Sequence, residues 1–271
     1  MTKNLDIIDR TVNSKGGSKP SLKVLNIGIV TRDYRNKFPN GYRDFTHTLS
    51  QVLRQLDYEG CDTVLFSLFS IIPRKGYDPL RDFNDLKNIK AILLEEFHDG
   101  KTRKAGRYVI YFRTTSDWKE YEFYQIFGTV TGMPLEEIDN FVKHEVPKRI
   151  MGNCCVLLCG ETNGVKYSKD DKKIHDTFGL RKAIPQSVNV VLNPIHDRMT
   201  RFEMMRKRQF LSKNNRWVIS VWNKGKQDKN GKTEDGNGPA WTVFHNGNKL
   251  DVPQIQNDLG IEIGVLSVKR A

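Results

Sequence analysis

Three short stretches of this sequence carry residues able to do chemistry. In "GNCCVLLCGETNG", residues 152–164, an apolar run ends at Cys159, with Gly160 and Glu161 directly behind it. A thiol at a strand tip can act as a nucleophile, and a following glycine keeps the sulfur accessible on a rigid support. The same cysteine can equally close a buried strand, since free cysteines are among the most buried residues. A nucleophilic thiol needs a proton acceptor, and Glu161 and His196 are the candidates. Glu161 reads either as that base or as an ordinary strand-end acid. In "NPIHDR", His196 and Asp197 directly follow a strand, so the imidazole can serve as the base or sit solvated beside Arg198.

The third stretch is basic: Arg198, Arg201, Arg206, Lys207, Arg208 and Lys213 span one helix and its approach. It reads as a phosphate-binding edge, with nucleic acid as a partner, or as a solvated face paired with acids such as Glu203. His47, His98, His144, His175 and His245 have no metal-ligand spacing such as H-E-x-x-H, so neither metal nor cofactor is expected.

The whole chain sets the limits. At 271 residues it can bury a substantial core as one large α/β domain or two small ones. Lys and Arg outnumber Asp and Glu by 44 to 32, an excess that favours acidic or phosphate-bearing partners. No run approaches the roughly 20 apolar residues of a membrane span, so no membrane role is expected. Cys61, Cys154, Cys155 and Cys159 form no pair of Cys-x-x-Cys motifs, which argues against a zinc ribbon and for a reduced, cytoplasmic setting. The opening residues 1–21, rich in Ser, Gly and Lys, read as a flexible tail ahead of a single domain over 22–271. Homo-oligomerisation is left open.

The elements that must position these residues follow from periodicity. "LKVLNIGIVT" reads as a first strand, and Phe45, Leu49, Val52, Leu53 and Leu56 recur at helical spacing. "GCDTVLFSLFSII" reads as a second, buried strand, which makes a βαβ unit. "DFNDLKNIKAILLEEFHDG" has helical periodicity and an Asp-Gly stop, "RYVIYFRTT" reads as a strand, and "PLEEIDNFVKHEV" as a short helix opened by Pro134. "NCCVLLC" and "VNVVLNPIHDR" read as strands, with a partly helical "DDKKIHDTFGLRKAIPQS" between them. "TRFEMMRKRQFLSKNNR" reads as a helix and "WVISVWN" as a strand. After a charged, glycine-rich loop, "AWTVFHNGNKL" reads as a hairpin around Asn246-Gly247, and "IEIGVLSVK" closes the chain.

In this order, over residues 22–268, the chain resembles the nitrilase, or carbon–nitrogen hydrolase, superfamily. "GCDTVLFSLFSIIPRKGYD" is similar to that family's second strand and the turn beyond it, and "VLLCGE" to its nucleophile strand. "VNVVLNP" resembles the strand lining the far wall of the pocket, and "RKRQFLSKNNRWVISVWN" a helix-then-strand segment ending in Asn. "GPAWTVFHNGNKL" looks like the late hairpin. The resemblance implies an α/β fold, a four-layer α-β-β-α sandwich in a single domain. It also implies a thiol hydrolase of small non-peptide amides or nitriles, with Cys159 as nucleophile, Lys143 in "FVKHE" as the oxyanion cation, and Asn163 and Asn193 near the pocket. The family's glutamate belongs just past the second strand, where this chain has "FSLFS" with Ser67 and Leu68. The nearby acids Glu59 and Asp62 precede that strand. A surviving reaction therefore needs a replacement base, Glu161 or His196, and otherwise the chain is a noncatalytic binding module on the same fold.

A rival reading is a metal-dependent phosphodiesterase of the DNase I-like kind, also a four-layer sandwich. Gly160, Glu161 and Asn163 loosely mimic its strand-end Gly-Asp-x-Asn motif, and the basic charge suits it. A Ser-Asp-His signature late in the chain is missing.

Overall fold

The structure is a computed structural model, and it describes residues 19–35, 44–72, 77–97, 106–128, 133–196, 200–225, 233 and 238–268. The strands are β1 (Asn26–Arg32), β2 (Thr63–Phe66), β3 (Ala91–Glu96), β4 (Arg107–Arg113), β5 (Trp118–Phe123), β6 (Ile150–Met151), β7 (Cys154–Val156), β8 (Lys166–Tyr167) and β9 (Ile174–His175). They continue with β10 (Val190–Pro194), β11 (Trp217–Val221), β12 (Trp241–His245), β13 (Asn248–Leu250), β14 (Gln254–Ile255) and β15 (Ile261–Ser267). The α-helices are α1 (Leu49–Tyr58), α2 (Leu135–Asn140), α3 (Leu180–Ala183) and α4 (Phe202–Leu211).

Two large sheets form, in the orders β14-β15-β1-β2-β3-β4-β5 and β13-β12-β11-β10-β7-β6, and β8 pairs only with β9. At the centre of the first, β1, β2 and β3 run parallel, and at the centre of the second, β7, β10 and β11 do. Central strands covered on both faces read as unbroken apolar runs because each residue meets one layer or the other. Ile27, Leu65, Leu93 and Ile110 of the first sheet meet Val156, Leu192, Ile219 and Val243 of the second in one shared core. The other face of the first sheet, with Val64, Ile92 and Val109, packs on Leu49, Val52, Leu53 and Leu56 of α1. The outer face of the second, with Cys155, Val191 and Val218, packs on Phe141, Leu180 and Leu211. The layering is therefore α-β-β-α, in one domain.

Several sequence expectations need correction. Residues 91–96 form strand β3, not helix, and only the short 3-10 turn Pro79–Phe83 coils before it. Leu, Ile and Glu at these positions satisfy a helical period, but pairing with β2 and β4 buries both faces and overrides that preference. The expected partly helical segment at 170–187 yields only α3, of four residues. Strand β5 was not anticipated, because its "WKEYEF" is largely polar at a sheet edge. The expected tail lies outside the described residues through 18, and so does most of the charged loop between β11 and β12. At the tail's end, Lys19 Nζ donates to the Pro147 carbonyl at 3.0 Å.

The parallel strands of both sheets end on one side of the molecule, where Asn223, just past β11, ties the sheets together. Its Oδ1 accepts from Ser67 Oγ at 2.5 Å and from the Arg32 N–H at 3.3 Å. Its Nδ2 donates to the Leu68 carbonyl at 2.8 Å and to Tyr34 Oη at 3.1 Å. The side chain is buried, so its removal leaves those partners dry and unpaired. Asn223→Ala should lower stability by about 2–4 kcal/mol, seen as a lower urea midpoint at unchanged slope.

Candidate active site

Carboxyl ends of parallel strands are where α/β sheets bind ligands, because the loops that follow are free of pairing duties. Four such ends converge here. Beyond β7 the chain stays extended, with the Leu157 N–H bonded to the Leu192 carbonyl, and turns at Cys159 into a 3-10 coil, Cys159–Gly164. Of the four cysteines, Cys61, Cys154 and Cys155 are buried, and burial pushes the Cys61 and Cys155 thiols up to about 12. Cys159 alone among them is partly exposed. It packs on the inter-sheet core and on Ile195, Trp222 and Ala240.

His196 follows β10, and its imidazole lies beside the Cys159 sulfur, close enough to interact with it. On its other flank Nε2 lies 3.4 Å from the Glu95 carboxylate. Ala91 and Leu93 of β3 face the inter-sheet core while Ile92 and Leu94 face α1, so the period of two turns Glu95 toward the second sheet. Its neighbour Glu96 turns outward to Arg107 and Tyr111. A thiol, an imidazole and a carboxylate thus stand in line across the gap between the sheets.

The segment after β2 holds that line in place. Phe69 adopts φ +58°, a left-handed conformation costly for a bulky residue. In that conformation its N–H donates to Glu95 Oε2 at 2.6 Å, and its ring lies against His196 with centroids 4.3 Å apart. Ser70 Oγ accepts from the Glu95 N–H at 2.9 Å and donates to the Ser67 carbonyl at 2.7 Å. Gly106 leaves room for the carboxylate, since a Cβ there would come within 2.6 Å of Glu95 Oε1. The stretch "FSLFS" supplies no glutamate of its own, and instead it clamps one delivered by the next strand.

Burial opposes a charge on His196, but its interactions with Cys159 and Glu95 outweigh that cost and raise the imidazole to about 9. The ring is therefore an imidazolium at neutral pH.

The remaining expected residues fall elsewhere. Glu161 is fully buried. Its Oε1 accepts from Arg149 Nη2 at 2.8 Å and the Ile126 N–H at 3.0 Å, and its Oε2 accepts from the Leu158 N–H at 2.8 Å. Burial raises its carboxyl despite the Arg149 guanidinium. With both oxygens committed, Glu161 is neither a base for Cys159 nor a ligand for a divalent cation; it fastens the turn that carries the thiol. Gly160 is required in that turn, where a Cβ would come within 1.9 Å of the Gly128 carbonyl oxygen. Lys143 stands on the surface, paired with Asp139 at 2.6 Å, and is not brought to the sulfur. Asn193 is buried and braces the strand leading to Cys159, donating to the Leu157 carbonyl at 2.6 Å and accepting from Ser220 Oγ. Asn163 is half-buried and accepts from Lys207 Nζ at 2.7 Å.

The basic series divides. Arg201 and Arg206 are exposed, paired with Glu203 and Gln209. Lys207 and Arg208 point inward and offer no surface phosphate contact. Burial lowers the Lys207 amine to about 8. Arg198 and Asp197 lie outside the described residues. Among the described residues no group of three His, Cys, Asp or Glu could hold a metal ion, and no helix is long and apolar enough to cross a membrane.

Sequence reasoning missed Glu95, because its strand was read as helix, and missed the inward turn of Arg208. The Ala-Ile-Leu-Leu run before the acids, short and set between polar turns, was the signal for a buried strand.

No protein-family model matches the chain, and no curated protein matches it. Solved structures align along nearly its whole length. A CN-hydrolase superfamily protein from Xanthomonas campestris, with an arsenic adduct in its active site, is 11% identical over 91% of both chains, at a TM-score of 0.45. A double mutant of the amidase from Nesterenkonia sp. AN1, in complex with acrylamide, is 12% identical over 92% of this chain and 93% of that one, at 0.46. Another mutant of that amidase, carrying the acetamide moiety of fluoroacetamide on its active-site cysteine, is 12% identical over 93% of this chain and 94% of that one, at 0.45.

The raised imidazole has a consequence for stability. Its folded value lies above the ordinary 6.5, so its interactions contribute fully below that pH and are lost as pH climbs through about 9. Ring-proton NMR should place the His196 titration near that raised value. In Glu95→Gln the titration should move down, and the alkaline loss of stability should move down with it.

Proposed function

We propose that the chain is a nitrilase-like thiol hydrolase of a small non-peptide amide or nitrile, with Cys159 as the family's cysteine and with His196 and Glu95 in place of its glutamate and lysine. The observation that carries this reading is the placement of the His196 imidazole between the partly exposed Cys159 sulfur and the Glu95 carboxylate, 3.4 Å from the latter.

Each part has a role. Cys159 attacks the carbonyl carbon as its thiolate, forming a C–S bond while the carbonyl π electrons move to oxygen. An amide nitrogen departs poorly unless it is protonated. His196 holds a proton at neutral pH on the ring nitrogen away from Glu95, and that proton passes to the amide nitrogen as the C–N bond breaks. The product is a thioester on Cys159 and a free amine. A water then attacks the thioester, neutral His196 takes the water's proton, and collapse of the second intermediate breaks the C–S bond, releasing the acid and restoring the sulfur–imidazolium pair. Glu95 does not touch substrate in this scheme. It is a positioning residue that keeps the imidazole aimed and stabilises its charged form.

Phe69 covers one face of the imidazole, Ile195 packs beside the sulfur, and the buried Glu161–Arg149 pair fixes the turn from which the sulfur attacks. The nitrile reaction begins with the same attack on carbon, His196 donating its proton to the developing imine nitrogen.

The test is acylation by an activated donor. With p-nitrophenyl acetate the protein should show a burst and gain one acetyl group, mapped by peptide mass to Cys159. Cys159→Ala should abolish both, and His196→Gln should slow turnover by about 10²–10⁴, the usual loss of a general acid–base. Acetylation spread over lysines, or none at all, would refute the assignment.

A further inference from the structure

A cavity of about 690 Å³ opens at the amino ends of β10 and β11, the ends of those strands away from Cys159. That volume is ordinary for a small-molecule site. Its wall divides in two. Phe178, Pro185 and Phe210 make an apolar part, and Arg181, Lys182 and Arg216 bring three cations. Asp176 also lines it, but that carboxylate is already engaged. Its Oδ1 accepts from the Leu180 N–H at 2.7 Å and its Oδ2 from the Arg181 N–H at 3.0 Å. Among the described residues no carboxylate pairs with the side chain of Arg181, Lys182 or Arg216.

The three cations are set differently. Arg216 is buried and held by neutral oxygens: Nε donates to the Val188 carbonyl at 3.1 Å, and Nη2 to the Ile184 and Pro185 carbonyls at 2.9 and 3.2 Å. Carbonyls orient a guanidinium without neutralising it, and burial leaves its field little screened. Arg181 is half-buried, with its guanidinium carbon 5.0 Å from the centre of the Phe210 ring. The ring fixes where that charge stands and uses none of its five N–H donors. Lys182 is exposed at the rim. Burial and the neighbouring Arg181 charge both lower the Arg216 guanidinium. Like charges gathered on one wall are a cost that an anion in the cavity removes.

We propose that this cavity binds a small organic phosphate, with the phosphate on Arg181 and Lys182 in the field of Arg216 and the organic part against Phe178 and Pro185. A phosphate monoester carries close to two charges and three acceptor oxygens, so it can answer two separate cations at once. A lipid headgroup presents the same phosphate chemistry, but a cavity with its own apolar wall takes in a compact molecule whole. The site is separate from the Cys159 reaction, and neither depends on the other.

Calorimetric titration at constant ionic strength tests it, with phenyl phosphate as the probe. The unaltered protein should bind one phenyl phosphate per chain, and bind phenyl sulfate, of the same shape and one charge fewer, more weakly. That comparison needs no variant to fold. Arg181→Gln combined with Lys182→Gln should weaken phenyl phosphate by about tenfold or more, the scale of a lost charge-assisted contact. The same loss of charge at the exposed Arg201 and Arg206, both to Gln, should leave binding unchanged, which separates this site from the chain's overall positive charge. Phosphatidylcholine vesicles doped with phosphatidic acid should retain the protein no better than phosphatidylcholine alone. No saturable binding of phenyl phosphate, equal affinity for the sulfate, or equal weakening by the two pairs of substitutions would overturn the site. Vesicle retention that disappears with Arg181 and Lys182 would give the cavity to a lipid headgroup instead.

Discussion

A carboxylate closed off at the end of a sheet strand must be answered by donors or give up its charge. Glu95 is answered by the backbone N–H of Phe69 at 2.6 Å and by the His196 imidazole at 3.4 Å. Neither donor lies on its own strand. One comes from the loop after β2 in the same sheet, and the other from the end of β10 in the opposite sheet. Meeting that demand draws the two sheets' carboxyl ends together, and the imidazole so drawn in has its other side on the Cys159 sulfur. The strained backbone of Phe69 and the missing side chain at Gly106 are then consequences, each making room or supplying a donor for one buried charge.

The rest of the framework keeps that meeting point from drifting. Asn223 spends both ends of its amide on groups of the first sheet, while the Glu161–Arg149 pair fastens the turn behind the thiol to the segment at Tyr124–Ile126. Buried polar groups of this sort add little net stability, but their directed hydrogen bonds favour one arrangement over its neighbours. The same contrast separates the four cysteines. Three are sealed in cores, and the fourth stands where two strand-end loops and an imidazole leave it partly open.

Much of this was legible in the sequence, and the failures have physical causes. Apolar runs bounded by turn residues located the central strands, and Leu49, Val52, Leu53 and Leu56 gave the face of α1 correctly. Cys159 and His196 could be singled out because each follows such a run, where a strand must stop and a side chain can face solvent. Glu95 was lost because "AILLEE" fits a helical period as well as it fits a strand buried on both faces, and only pairing with β2 and β4 decides between them. Glu161 was overvalued because closeness in sequence to Cys159 says nothing about Arg149, twelve positions upstream, which claims it. Lys143 was carried by a sequence likeness to a place the chain turns outward. Arg208 looked like surface because arginines usually are, and the buried stripe on α4 shows only when Met204 and Leu211 are read as its partners.

The central claim is that Glu95 acts on the thiol only through His196. A double-mutant cycle on the rate of Cys159 acylation tests it most directly, with Glu95→Gln introduced once beside His196 and once beside His196→Gln. The account predicts a marked loss in the first background and little or none in the second, since without the imidazole the carboxylate has nothing to position. Equal losses in both backgrounds would contradict it.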